Sequence, residues 1–462
     1  MFDAKTYVHR RRLLKKQVPT GLILFLGNEE SPMNYAANTY HFRQDSSFLY
    51  FFGLDSPGLS AVIDIDEQKD MLFGNDIDIE DIIWMGFLPT LKERAAEVGV
   101  KNTAPLKDVE GVLSEAAQKG RLIHYLPPYR TESQMKLQAW LGVPPQEAKN
   151  RSSTELVKAV VAQRSVKSEQ EIAQIEIALK TTYKMYITAM HMAQPGVYEK
   201  DIAGRIDGIA VTGGGATAFP TILSINGQIL HNHSHENLLK RGKLLVVDAG
   251  AESPLHYASD ITRTIPVGGK FTAKQKDIYQ IVLAGQEHAI KAIKPGVMYK
   301  DIHLHAAKVI ASGLKSIGLM KGDVDEAVSQ GAHALFFPHG LGHMLGLDVH
   351  DMENLGENHV GYDESVKRSE QFGLAYLRMA KALRPGYVMT VEPGIYFIPA
   401  LIDKWKEEKK CFPFIAFDKL KTYRDFGGIR IEDNVLVTRD GSRVLGRPIP
   451  KKAAKVEEAA TI

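Results

Sequence analysis

The sequence predicts a two-domain protein, with an α/β domain over residues 1–155 and an α+β domain over 156–462. Three observations carry this. At 462 residues the chain is too long for one core, since domains run to roughly 100–200 residues. Its first 140 residues mix short apolar runs with helical stretches. Beyond a polar, proline-bearing joint, a weak internal repeat divides the remainder into two related halves.

In chain order, Gly21-Leu22-Ile23-Leu24-Phe25-Leu26-Gly27 is an apolar run bounded by glycines, the pattern of a buried strand. Ser60–Asp66 and Arg121–Leu126, the latter ahead of Pro127-Pro128, read as two more strands. Helical stretches fall around Leu91–Val98 and Thr131–Leu141. The basic run Arg10–Lys16 reads as a solvated helix face anchored by Leu13 and Leu14. Gly142–Arg151 is polar, carries a proline pair and marks the domain joint. Ser168-Glu169-Gln170-Glu171 then fits a capping box, and Ile172, Ile175, Leu179, Tyr186 and Met190 recur at helical spacing behind it.

The repeat follows. Pro195-Gly196-Val197 leads to Lys200-Asp201-Ile202, and Pro295-Gly296-Val297 leads to Lys300-Asp301-Ile302. In each copy Pro-Gly ends one helix and the aspartate can open the next. Either two turns coincide by chance, or the domain is built of two halves with a site where they meet. The last twelve residues, Lys451–Ile462, are small and charged and are expected to fray.

Composition excludes several classes. Hydrophobic residues make up 44% and charged residues 24%, which is ordinary globular usage. The 57 basic and 55 acidic residues leave a net charge of +2, so no overall field favours nucleic acid or an anionic membrane. No apolar segment approaches a membrane span, and the N-terminus lacks an apolar signal core. The single cysteine, Cys411, excludes an intrachain disulfide framework and points to a reducing compartment. A cytoplasmic location is the expectation.

The chemistry lies in dispersed acids at the ends of apolar runs. Leu244–Val247 leads into Asp248, and twelve residues later Ser259-Asp260-Ile261-Thr262-Arg263-Thr264 carries a second carboxylate. A hairpin with Ser253-Pro254 in its turn puts both on one face. Pro338-His339-Gly340-Leu341-Gly342-His343 and Leu347–Asp351 follow, then Val391-Glu392-Pro393-Gly394 and Gly427-Gly428-Ile429-Arg430-Ile431-Glu432-Asp433. One such acid alone is best read as a salt bridge. Four carboxylates gathered in one pocket would repel and hold protons. Two divalent cations balance them, with Mn²⁺ favoured and Zn²⁺, Co²⁺ and Fe²⁺ as competitors.

These motifs resemble the "pita-bread" metallopeptidases, the family of methionine aminopeptidase, aminopeptidase P and prolidase. The likeness spans about residues 20–450. It implies a curved antiparallel sheet flanked by helices, in pseudo-two-fold halves, behind an aminopeptidase P/creatinase-like N-terminal domain. By resemblance, Asp248, Asp260, His343, Glu392 and Glu432 are ligands of two metal ions, with Asp260 and Glu432 bridging. Glu392 would also handle the proton of the attacking water. His231 would contact the substrate, His350 would stabilise the tetrahedral intermediate, and Arg430 would lie near the site. His339 would either bind substrate or pack against backbone.

Here the Asp248–Asp260 gap is one residue longer than in the family, and the extra residue falls within Ser253–His256. A widened turn absorbs it; a slipped register would turn one carboxylate away. Insertions around Gly373–Arg378 and after Tyr396 look like prolidase, in which Arg378 would bind the free carboxylate of a dipeptide. His41–Phe48 looks closer to aminopeptidase P. The resemblance thus implies an Xaa-Pro dipeptidase, or an Xaa-Pro aminopeptidase acting on longer peptides, with proline-containing dipeptides or short peptides as substrates. It also implies a homodimer, with no nucleic-acid or membrane partner. A creatinase-like non-metal enzyme or a non-catalytic binding scaffold would lack part of the ligand set. Of the histidines in His231-Asn232-His233-Ser234-His235, only His231 is expected to face the site.

Overall fold

The computed structural model describes residues 1–461 and resolves two compact units. The first comprises Met1–Arg164 with Glu353–His359. Its centre is a five-stranded mixed sheet of β1 (Leu22–Leu26), β2 (Ser60–Asp64), β3 (Lys69–Phe73), β4 (Asn102–Ala104) and β5 (Ile123–Tyr125), in the order β4-β3-β2-β1-β5. Strands β1 and β5 pair in parallel; β1 and β2 pair antiparallel. Phe25 on β1 packs against Phe51 and Phe52 of the helix Ser46–Phe52, capped by Asp45.

The basic run is a solvated face only in part, at Arg12 and Lys16, with Leu14 buried beneath it. It lies in the helix Ala4–Gln17, where Arg10 and Arg11 are buried. Arg10 donates to the carbonyl of Tyr50, and Arg11 to those of Phe51 and Val98 and to Asp70. These guanidiniums satisfy carbonyls at helix ends that would otherwise be orphaned.

The second unit comprises residues 165–352 and the chain from Val360 on. The predicted capping box at Ser168 and Glu171 forms in both directions, opening the helix Glu169–Met192. The two halves of the repeat have the same construction. In the first, Gly196 and Glu199 donate to Leu239 and Asn237; in the second, Gly296 and Tyr299 donate to Leu383 and Lys381. Leu239 and Leu383 donate back to Val197 and Val297. Each turn joins a long helix to a shorter one, Glu169–Met192 to Glu199–Thr212 and Ala273–Ala292 to Tyr299–Ser316. Matching main-chain bonds at the offset of 100 residues make chance an inadequate account.

Among the described residues the strands of this unit pair only antiparallel, in three groups. These are β6 (Ile222–Ser224), β7 (Leu244–Ala249) and β8 (Ile261–Pro266); β9 (Val388–Val391), β12 (Asp433–Val437) and β13 (Ser442–Val444); and β10 (Gly394–Tyr396) with β11 (Gly428–Arg430). Glu432 N–H donates to Thr262 and Thr264 Oγ1 to Arg430, tying β8 to β11 and β12. Residues 451–461 do not fray, and Ile462 lies outside the described residues. The helix Ala453–Ala459 buries Ala453 and Val456, while Glu457 accepts from Phe271 N–H. Small residues at helical spacing let it pack closely, which a composition of small and charged residues concealed.

Behind the site, His303 and His333 are fully buried, 6.2 Å apart by ring centroids, and their ring nitrogens have no hydrogen-bond partner. Burial holds both neutral, pushing His333 down to about 4 and His303 well below its usual value. Above pH 6.5 neither state binds these protons. Below it the unfolded chain takes up protons that the fold refuses, so stability falls toward pH 4 by up to about 1.4 kcal/mol per pH unit for each histidine. His333→Gln should therefore flatten the acid side of the urea-midpoint profile between pH 6.5 and 4. An unchanged slope would contradict this.

Candidate metal centre

The β7–β8 hairpin sets the first two acids. Asp248 pairs with Thr262, so Asp260, two residues before Thr262, lies on the same face diagonally across. The extra residue sits in the turn, where His256 takes a left-handed φ of 64° and its Nδ1 meets Glu252 at 2.7 Å. The register is kept. Gly250 is required by close approach: a Cβ there would lie 1.7 Å from the carbonyl oxygen of Ser259. Asp260 is further held by Asn434, which accepts from its N–H and donates to its carbonyl.

The second half contributes the rest. His343 N–H donates to Thr390 Oγ1, and Gly342 lies so close to Thr390 that a Cβ would meet its carbonyl at 2.1 Å. His343 Nδ1 faces the Met344 carbonyl at 3.0 Å. A carbonyl only accepts, which places the proton on Nδ1 and leaves Nε2 as a lone-pair donor. That Nε2 lies 3.4 Å from Asp260 Oδ2 and 3.6 Å from Glu392 Oε1. Ligand atoms of Asp260, His343 and Glu432 lie within 4.8 Å of one another, and all three residues are buried. Asp248 and Glu392 stand in the wall of the same cavity.

Two of the acids have one oxygen hydrogen-bonded and the other buried without a partner. Arg430 donates to Asp248 Oδ2 at 2.7 Å, and Thr262 Oγ1 to Glu432 Oε2 at 2.7 Å. Asp248 Oδ1, Asp260 Oδ1 and Glu432 Oε1 are buried with no hydrogen-bond partner. An orphaned buried oxygen costs about 1–3 kcal/mol, more when charged. Burial first, and then the neighbouring carboxylates, push Asp260, Glu392 and Glu432 well above the usual carboxylate range. Three inward oxygens beside an imidazole lone pair fit divalent cations, and these residues could hold them.

Arg430 is buried. Burial opposes its charge, but Tyr396, Asp248 and Glu392 keep it cationic. It also donates to Tyr396 Oη at 2.8 Å. His339 has both ring nitrogens engaged, one with the Gly340 carbonyl and one with Tyr396 Oη. Burial, then Arg430, pushes it down to about 3, so it stays neutral. The ring of His350 stands 4.2 Å from that of His343.

The cavity has a volume of about 580 Å³ and is lined wholly by residues of the second unit. All ten sequence-predicted residues line it: Asp248, Asp260, His343, Glu392, Glu432, His231, His350, Arg430, Arg378 and His339. His233 does so as well, contrary to expectation. Sequence reading missed the apolar lining from Phe219, Leu230, Phe372, Tyr376 and Leu401. It also missed the supporting Thr262, Tyr396 and Asn434, although each lies inside or beside a recognised motif.

A buried carboxylate–histidine cluster in a two-half antiparallel scaffold defines a metal-dependent hydrolase. The chain belongs to metallopeptidase family M24, whose model matches residues 173–439, and the model for the aminopeptidase P N-terminal domain matches 7–124. It is 34% identical to a probable Xaa-Pro aminopeptidase of Aspergillus terreus, over 99% of this chain and 97% of that protein. It is 31% identical to the human Xaa-Pro dipeptidase, over 97% and 92%. Among solved structures, aminopeptidase PepP of Pseudomonas aeruginosa and aminopeptidase P of Escherichia coli with the inhibitor Pro-Leu each match with TM-score 0.81 and 28% identity, over 99% of this chain and 98% of theirs. Among the described residues no helix is long and apolar enough to cross a membrane.

Cation binding should relieve the orphaned oxygens. Protein dialysed against a chelator should melt lower than the same protein given Mn²⁺ at 100 times its dissociation constant, where linkage supplies about 2.7 kcal/mol. Asp260→Asn should abolish the difference. Equal melting with and without every divalent ion tried would refute the centre.

Proposed function

We propose that this chain is an Xaa-Pro dipeptidase that works with two divalent cations, Mn²⁺ first among them. The observation that carries this reading is the position of Arg378. It lines the same cavity as the acids and lies close enough to Glu392 to act on its charge. A guanidinium there can pair with the free carboxylate of a dipeptide and bar a longer chain. An Xaa-Pro bond has no N–H at proline, so a site must grip both ends of the substrate instead.

Four carboxylates against two dications sum to zero, which favours a pair of ions. Bound there, such cations lower the pKa of a water and polarise the scissile carbonyl. Asp248, Asp260, His343, Glu392 and Glu432 would hold them. Glu392 would take a proton from the attacking water and pass it to the leaving proline nitrogen. Arg430 keeps Asp248 in place. His231 and His350 reach the substrate from the cavity wall, while His339, its nitrogens engaged, offers a ring face.

The helix Ile79–Met85 buries none of its residues, and Ile79, Ile83, Trp84 and Met85 are all at least 72% exposed. Such a face supports a homodimer. The single cysteine supports the cytoplasm.

The second reading is an Xaa-Pro aminopeptidase. It is favoured by the match to the aminopeptidase P N-terminal domain and by solved structures of aminopeptidases P. Gly-Pro set against Gly-Pro-Ala separates the two. The dipeptidase reading expects cleavage of Gly-Pro alone, and a fall in kcat/KM of about 30- to 150-fold in Arg378→Met, equivalent to about 2–3 kcal/mol. Efficient hydrolysis of Gly-Pro-Ala would reverse the choice.

A further inference from the structure

Arg263 lies in the Ser-Asp-x-Thr-Arg-Thr motif on β8, one residue beyond the bond donor of Glu432. Its side chain is 1% exposed. A guanidinium carries five N–H donors, and here they make five bonds. Nη1 donates to the carbonyls of Thr262 at 2.9 Å and Glu432 at 2.6 Å. Nη2 donates to Asp433 Oδ1 at 2.7 Å and the Ile449 carbonyl at 3.1 Å. Nε donates to the Pro450 carbonyl at 3.0 Å.

Three of the five bonds go to residues at the metal centre, Thr262, Glu432 and Asp433. Thr262 takes the Glu432 N–H on its carbonyl and steers Glu432 Oε2 with its hydroxyl. Arg263 therefore fixes the main chain on both sides of the inward-facing Glu432 oxygen. The remaining bonds run to the C-terminal segment. There Lys451 Nζ returns to Asp433 Oδ2 at 2.6 Å and to Gln286 Oε1 at 2.9 Å. A loose core ion pair needs one carboxylate; this arrangement ties one β-strand, one acid of the site and the chain's tail through a single planar group.

We propose that Arg263 is a positioning residue for the metal centre, fastening Glu432 and the strand after Asp260 to residues 449–451 and thereby setting the affinity for divalent cations. The inference rests on the dinuclear-metal reading above. It makes the C-terminal segment part of the support of the site, although none of its residues lines the cavity.

The test uses the full chain, freed of metal and titrated calorimetrically with Mn²⁺, with the melting temperature of the metal-free protein as control. Arg263→Lys keeps a charge for Asp433 but cannot span the four carbonyls. It should weaken Mn²⁺ binding by about tenfold or more, titrated at a temperature where the metal-free variant is still folded, because the carbonyls it leaves unpaired lower metal-free melting as well. Lys451→Met, which leaves Arg263 intact, should weaken binding by about threefold, and it decides the matter if Arg263→Lys fails to fold. Mn²⁺ affinities within twofold of wild type in both variants would overturn the proposal while leaving the metal centre standing. A wild-type protein that binds no Mn²⁺ would sink both.

Discussion

The structure depends on a concentration of negative charge in a place that disfavours it. Four carboxylates reach one buried cavity, and three of their oxygens have no protein partner. Nothing in a stable core asks for this arrangement. Burial and mutual repulsion raise the proton affinity of Asp260, Glu392 and Glu432, so the metal-free pocket holds protons where the loaded one would hold cations. The surrounding architecture keeps these groups from escaping that conflict. One oxygen of Asp248 is pinned by Arg430 and one of Glu432 by Thr262. His343 is locked in one tautomer by the Met344 carbonyl.

Repetition supplies the scaffold. Each half presents a helix pair, a Pro-Gly turn and antiparallel strands, and the acids come from strand ends in both. The hairpin of the first half carries Asp248 and Asp260; in the second, Glu392 directly follows β9 and Glu432 lies between β11 and β12. Two glycines permit the approach. Gly250 and Gly342 each stand where a Cβ would strike a carbonyl, so both motifs need glycine for space, not for an unusual φ. A residue of ordinary size at either point would push a ligand strand outward by ångströms, more than coordination geometry tolerates.

The motifs were legible one at a time. A run such as Leu244–Val247 leads into an acid, Asp248, whose burial could be foreseen, and the Ser168–Glu171 capping box formed as spaced. The repeated turns proved to share main-chain bonds down to the individual donor and acceptor. Reading failed where composition stood in for packing. Arg10 and Arg11 were charges without visible partners, because those partners are backbone carbonyls some 40 and 87 residues away. The C-terminal helix likewise hid its contacts behind small side chains. His233 could not be separated from His231, since an irregular loop has no periodicity from which to read a face.

By itself the sequence determined the chemical kinds of the ligands and the strand ends that carry them, and offered the doubled construction as one of two readings, because periodicity, capping and glycine spacing are local properties. The tertiary structure alone decided which oxygens face inward and which are restrained, and that His339 has no ring nitrogen to spare. It also decided that Arg263 binds the tail. Those outcomes depend on donors and acceptors as far apart as Arg263 and Pro450 meeting within about 3 Å, and chain order carries no such distance.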